Sequence, residues 1–155
     1  MFLRHFGCIG CDVTVTELEP RLGELHVAGA HTALVGNGAP AHLDAFAERH
    51  ALGDKHVALF TDPSLAAFRA AGFVHSAWAT YGPRSIADYV RALSAGFVPR
   101  KTQGDVLQHG GTLVVDAQGR VVLHHVSSSL SDHADASDLV DAVLSLAVRA
   151  SPTRV

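Results

Sequence analysis

A chain of 155 residues with 48% hydrophobic and 17% charged side chains can bury a core of its own, and it is not a disordered polyelectrolyte. A net charge of −3 offers no basic footprint, which excludes the usual nucleic-acid binders. No apolar run reaches membrane-spanning length and no signal-peptide core leads the chain, so the expectation is a cytoplasmic protein with no membrane partner.

In chain order, Phe2-Leu3-Arg4-His5-Phe6-Gly7 reads as a strand. The only two cysteines follow at once, in Cys8-Ile9-Gly10-Cys11. Asp12 to His26 reads as a helix with Val15, Leu18, Leu22 and Leu25 on one face. Pro20 interrupts it, and the lost backbone bond and crowded Thr16 carbonyl predict a kink. Ala30–Gly36 is a second strand, Ala39–Leu52 a helix with Pro40 in its first turn, and His56–Thr61 a third strand. Asp62 or Thr61 caps the next helix, which carries Leu65, Phe68 and Ala71 inward and closes at Gly72. This alternation implies parallel strands with right-handed crossovers.

Phe73–Gly82 is less regular and holds Trp78 and Tyr81. A lone Trp in a small domain reads first as core and second as the wall of a substrate groove. Ser85–Ala95 is a helix, and Arg100–Gly111 a surface loop. Thr112–Asp116 and Arg120–Val126, joined through Ala117-Gln118-Gly119, read as a β-hairpin. Ser127–Ser137 is a loop, and Leu139, Val140, Val143, Leu144 and Ala147 mark a final amphipathic helix. We read one domain over residues 1–150 and a frayed tail over 151–155.

The chemistry sits at the C-x-x-C. At a strand-to-helix turn, unpaired N–H groups and the helix dipole favour a thiolate. A second sulfur one turn on can capture an oxidised first one. Cys8, at the edge of the turn, is the candidate nucleophile and the more exposed thiol; Cys11, further into the helix, is the candidate resolving thiol and the more buried. Arg4 and His5 precede them and can stabilise a thiolate, though alternation along a strand points only one of them usefully. Structural zinc needs four ligands, and no second C-x-x-C completes a site, so no metal is expected. Gly36-Asn37-Gly38-Ala39-Pro40-Ala41 has the outline of a dinucleotide loop, but the rest of that fold is missing.

Several strings together resemble the peroxiredoxin-like AhpC/TSA proteins, the group that includes peroxiredoxin-like 2. They are FLRHFGCIGC from Phe2, VGNGAP from Val35, FTDPSLAAFRAAGF from Phe60, GDVLQHGGT from Gly104 and LVVDAQGRV from Leu113. The resemblance spans nearly the whole chain and places the group's reactive cysteines on Cys8 and Cys11. It implies a thioredoxin-like α/β fold: a mixed five-stranded sheet, helices on both faces, and a C-terminal hairpin and helix. Phe2–Phe6 would lie at the centre of that sheet, between Ala30–Gly36 and Thr112–Asp116.

The resemblance also implies a cofactor-free oxidoreductase that acts on a peroxide or disulfide and is recharged by an external thiol reductant. Some relatives act on lipid-derived substrates such as prostaglandin endoperoxides. Ile9 stands where a Pro often follows the first Cys, and Cys8 stands where the Thr of T-x-x-C would be, which favours disulfide chemistry over peroxidase chemistry. Gly110-Gly111 replaces the thioredoxin proline before the hairpin. Relatives carry a segment before the first strand, so a homodimer is expected to cover the sheet through Leu113–Val115, Val121–Leu123 or the last helix. The rival reading is a non-enzymatic thioredoxin-fold binding module.

Overall fold

The computed structural model describes the backbone of residues 1–150 and side chains through 147, so the expected frayed tail lies outside the described residues. The elements alternate as expected. Helix α1 (Ile9–Leu18) leads through a 3₁₀ turn at Glu19–Arg21 into α2 (Leu22–Val27). That turn is the kink that Pro20 dictates, since proline can give no N–H to the helical ladder. Strand β1 (Thr32–Gly36), α3 (Leu43–Arg49), β2 (Val57–Thr61) and α4 (Ala66–Ala70) follow. Asp62 caps α4 from outside it, accepting from the Ser64 and Ala67 N–H groups at 3.1 and 2.7 Å, and Gly72 ends it at φ 74°. Next come α5 (Ala77–Tyr81), α6 (Pro83–Ser94), the hairpin strands β3 (Gly111–Val115) and β4 (Val121–Val126), and α7 (Ala136–Ala150).

β1 and β2 pair in parallel, Leu34 opposite Leu59; β3 and β4 pair antiparallel with an irregularity at Val114/Val115. Phe2 lies between the two ladders, bridged in parallel to Val35 and antiparallel to Gly111. The lateral order and strand senses are the expected ones, but the central strand is not. Phe2–Phe6 contributes one bridging residue, and the backbone forms two two-stranded ladders in place of a five-stranded sheet. The reason lies downstream. After Leu3 donates to the Val35 carbonyl at 2.7 Å, the Arg4 N–H turns to the Cys11 sulfur, so the chain leaves the sheet to start α1.

The core gathers Leu3, Phe6, Val15, Leu18, Leu22, Leu25, Leu34, Phe46, Leu139 and Val140. Phe6 and Phe46 are fully enclosed, with ring centroids 5.0 Å apart. Two expectations change here. Leu139 and Val140 are inside, so that part of α7 is no self-association surface; Val121 and Val122 of the hairpin stay exposed. The expected surface loop is a surface loop only at its start, because Gln108 and His109 are buried. His109 donates its N–H to the Val74 carbonyl at 2.8 Å, and Gly111 to that of Phe2 at 3.0 Å, which ties this end beneath the N-terminal segment.

Candidate active site

Cys8 is the N-cap of α1, in an extended conformation (φ −77°, ψ 123°). Cys11 therefore sits at the third helical position, one turn on, which brings the two thiols together as their spacing requires. Both are free thiols. The turn before them is closed by the Cys8 N–H, which donates to the His5 carbonyl at 3.0 Å. The Gly7 N–H donates to His5 Nδ1 at 3.2 Å. The Arg4 N–H donates to Cys11 Sγ at 3.2 Å.

The pair is electrically unequal. The Cys11 thiol donates to Cys8, and this is the largest influence lowering the Cys8 pKa from 9.0 to about 7. Burial opposes the shift, while the Arg4 charge and the backbone amides of Cys11 and Gly10 assist it. Cys11 moves well upward, first because its proton is held in that hydrogen bond and then because it is buried. The thiolate at neutral pH is thus Cys8. Of the two residues before the motif, Arg4 supplies the charge; its guanidinium is held by the Val106 carbonyl at 3.0 and 2.5 Å.

One expectation fails outright. Position at the edge of the turn predicts Cys8 as the more exposed thiol and Cys11 as the more buried, but they are 4% and 6% exposed. Position along a helix sets which way a side chain points, not what lies over it. A Cβ on Gly7 would overlap the Lys101 carbonyl oxygen, and one on Gly10 would overlap that of Leu130. Two distant segments thus close over the turn, and only glycine lets them approach so far. Gly7→Ala should push the Lys101 segment off the turn. We expect faster labelling of Cys8 by a maleimide, with little change in labelling of the unfolded chain.

Asp12, next to the motif, is buried, and sequence reasoning gave it no role. Its Oδ1 accepts from Arg49 Nη2 at 3.0 Å and lies 2.9 Å from His50 Nε2; Arg100 Nε stands 3.8 Å from Oδ2. The same Arg49 Nη2 donates to the Phe6 carbonyl at 2.6 Å. One guanidinium therefore ties the cysteine turn to the first turn of α1. The sequence signal was an acidic residue inside a first helical turn, which is common enough to pass unnoticed. His50, at the C-terminal end of α3, has a side chain only 7% exposed, and this carboxylate is its polar partner there.

Behind Cys11 lies a cavity of about 30 Å³, walled in part by Thr14, His109, Thr112 and Ser129, with room for a water. The buried Thr112 Oγ1 has no protein partner. Cys8, Trp78 and Tyr81 are not among its walls. Trp78 is 77% exposed, so it belongs neither to the core nor to this cavity. The Gly36–Gly38 loop is occupied by the chain itself. Asn37 Nδ2 donates to the Asp105 carbonyl at 2.9 Å, Asn37 Oδ1 accepts from the Asp105 N–H at 2.9 Å, and Gly38 abuts the Gln103 carbonyl. Those glycines serve packing, and they leave no phosphate cradle. Among the described residues no cluster of three or more His, Cys, Asp or Glu could hold a metal ion.

Two buried histidines make the fold acid-sensitive. Burial, then the Arg4 charge, push His5 and His109 from 6.5 down to about 4. Between those values the unfolded chain binds protons that the folded chain does not. Their contribution is therefore complete above about pH 6.5 and lost as pH falls towards about 4. The loss is roughly 2–3 kcal/mol per histidine. Urea titrations across that interval should show a falling midpoint, and His5→Gln should flatten the dependence.

The family described as AhpC/TSA antioxidant enzyme matches residues 17–129, so the two cysteines lie just ahead of the matched region. Prostamide/prostaglandin F synthase of Sus scrofa is 29% identical over 146 residues, covering 91% of this chain and 70% of that protein. No solved structure gives a significant match.

Proposed function

The chain belongs to the AhpC/TSA antioxidant enzyme family, and on that premise we propose that it is a thiol oxidoreductase of thioredoxin-like fold, one domain over residues 1–150, cycling Cys8 and Cys11 between dithiol and disulfide. The observation that carries this reading is the placement of two free thiols at one helix start, Cys8 at the N-cap of α1 and Cys11 one turn on, and the lowering of the Cys8 pKa beside a raised Cys11 supports it.

With a disulfide substrate, the Cys8 thiolate attacks one sulfur, and the other leaves as a thiolate that takes up a proton. Cys11, its proton passed on, then attacks the Cys8 sulfur. The Cys8–Cys11 disulfide forms and the second substrate thiol is released. Two electrons and two protons pass to substrate. With a hydroperoxide, attack on oxygen releases an alcohol or water and leaves a sulfenic acid on Cys8. Cys11 condenses with it, expelling water. In either case an external dithiol reductant takes up the disulfide and restores the pair. No bound cofactor is required.

Trapping tests this directly. Cys11→Ser should accumulate a covalent adduct with an aromatic disulfide at Cys8, whereas Cys8→Ser should accumulate none. Adduct on Cys11 alone would reverse the assignment.

The burial of both thiols supports a second reading, a thioredoxin-fold module that binds a partner without turnover. It requires that the native protein resist alkylation until it unfolds, and that peroxide leave the thiol count unchanged. Pairing of chains through the exposed Val121 and Val122 of the hairpin belongs to either reading. Val121→Lys should then convert a dimer mass to a monomer mass in light scattering.

A further inference from the structure

Two segments close over the dithiol turn, and they are held very differently. Leu130 lies against Gly10. Its N–H donates to Ser85 Oγ at 2.8 Å, and on either side of it Ser129 Oγ and the Ser131 N–H donate to Asp88 Oδ2 at 2.6 and 3.2 Å. Ser85, Asp88 and Ser129 are buried. Lifting this segment would strip a buried carboxylate of its donors. The Lys101 carbonyl lies against Gly7, on a strap of residues 98–103 that is neither helix nor strand. Val98, Pro99, Arg100, Lys101 and Thr102 are all exposed. The Arg100 N–H donates to the Gly7 carbonyl at a long 3.4 Å, and Arg100 Nε stands 3.8 Å from Asp12 Oδ2. The Arg100 side chain is 48% exposed, so that ion pair is screened and weak.

The ends of the strap are fixed. Before it, the Phe97 N–H donates to the Ala92 carbonyl at 3.1 Å, at the close of α6. After it, Asn37 holds both backbone groups of Asp105 at 2.9 Å. Each end adjoins a glycine at positive φ, Gly96 at 89° and Gly104 at 151°, where the chain turns as other residues rarely do. A short segment with firm ends and a weakly held middle opens at low free energy while the surrounding fold stays closed. The cavity of about 30 Å³ on the other side of the turn offers no such route. Cys11 and Leu130 are among its walls, Cys8 and Lys101 are not, and it has room for a water rather than a substrate.

We propose that residues 98–103 are a gate: the strap swings off Gly7 between its anchors at Phe97 and Asp105, and substrate reaches Cys8 through that opening while Leu130 stays closed over the Cys11 side. The inference rests on the proposed role of Cys8 as the attacking thiol. Attack requires contact between the Cys8 thiolate and a substrate sulfur or oxygen, which a residue 4% exposed cannot make with the strap down. The gate also sets the order of the thiols. Cys8 meets the substrate, and Cys11, on the side that stays closed, is kept from outside oxidants and left to attack the bond formed at Cys8. Opening of a loop of this length falls in the nanosecond-to-millisecond range, fast enough to precede each turnover.

Labelling of each thiol in the full chain by iodoacetamide, located by mass spectrometry, tests the gate. Combining Val98→Gly, Pro99→Gly and Lys101→Gly loosens the strap without touching its anchors. Cys8 labelling should rise about tenfold, Cys11 should stay unlabelled, and the urea midpoint should change little. Ser85→Ala loosens the other cover. It should lower the urea midpoint and leave Cys8 labelling in native buffer unchanged. Circular dichroism checks that each variant is folded. Three results would each overturn the gate: a Cys8 rate unmoved by the strap substitutions, a rate that follows the urea midpoint through every variant, or a native chain that labels as fast as the urea-unfolded one. The second would mean that access comes by unfolding of the whole chain. Disulfide reduction, measured on the same variants, separates the gate from the function it serves. Strap variants that label faster while no variant reduces a disulfide would leave the gate standing and remove the oxidoreductase. A native chain that reduces a disulfide at a rate the strap substitutions do not alter, with labelling equally unmoved, would do the reverse.

Discussion

Alkylation of Cys8 by iodoacetamide should reach half its maximal rate at about pH 7, well below an ordinary thiol. The largest influence behind this is the hydrogen bond from the Cys11 thiol, so Cys11→Ala should move the midpoint upward toward the ordinary value. At neutral pH that change means about tenfold less thiolate, and labelling should slow accordingly. Arg4→Met should shift the midpoint in the same direction by less, because the Arg4 charge ranks behind that hydrogen bond. Cys8→Ser should remove the low-pH labelling phase and all disulfide reduction. If the midpoint stays put in Cys11→Ala, the asymmetry has another source, and Cys11 has no part in activating its neighbour.

Asp12→Ala should cost about 3–5 kcal/mol of stability, the range for breaking a buried ion pair by removing one partner. The Asp12 side chain is 7% exposed and Arg49 19%, so neither charge is well solvated. Removing the carboxylate leaves the Arg49 guanidinium with the Phe6 carbonyl and the face of the Phe46 ring but no counter-charge among these, and leaves His50 without its carboxylate partner. The urea midpoint should fall sharply with little change in slope. Pairing Asp12→Ala with Arg49→Met should recover part of the loss, because no unpaired charge then remains. A loss under about 1 kcal/mol in the single variant would mean the cluster behaves like a solvated surface pair. The cluster touches both arms of the cysteine turn, so Asp12→Ala should also broaden the pH dependence of Cys8 labelling as the turn loosens.

The sequence alone was enough to order the elements. Local chemistry decides where a helix kinks, as at Pro20, where one is capped, as at Asp62, and where it ends, as at Gly72; each acts over a single turn and needs no distant partner. The same locality made the dithiol legible. Two cysteines three apart at a helix start must face each other, whatever the rest of the chain does. The flanking pairings, β1 with β2 and β3 with β4, also followed from connections that leave few alternatives.

Tertiary structure decided what depends on residues far apart in the chain. Phe2–Phe6 has strand composition, yet after Leu3 its backbone is claimed by the Cys11 sulfur and the turn into α1, so only Phe2 remains between the ladders. Cys8 sits at a helix edge, yet the segments at Lys101 and Leu130 come down on its neighbouring glycines and close the turn. Asp12 reads as an ordinary first-turn acid until Arg49 and His50 arrive from α3. In α6 the periodic pattern is plain, but its direction is not. Periodicity shows that a helix has two faces. Which face turns inward was settled by Ser85 and Asp88 finding their partners at residues 129–131, a choice no local window of sequence contains.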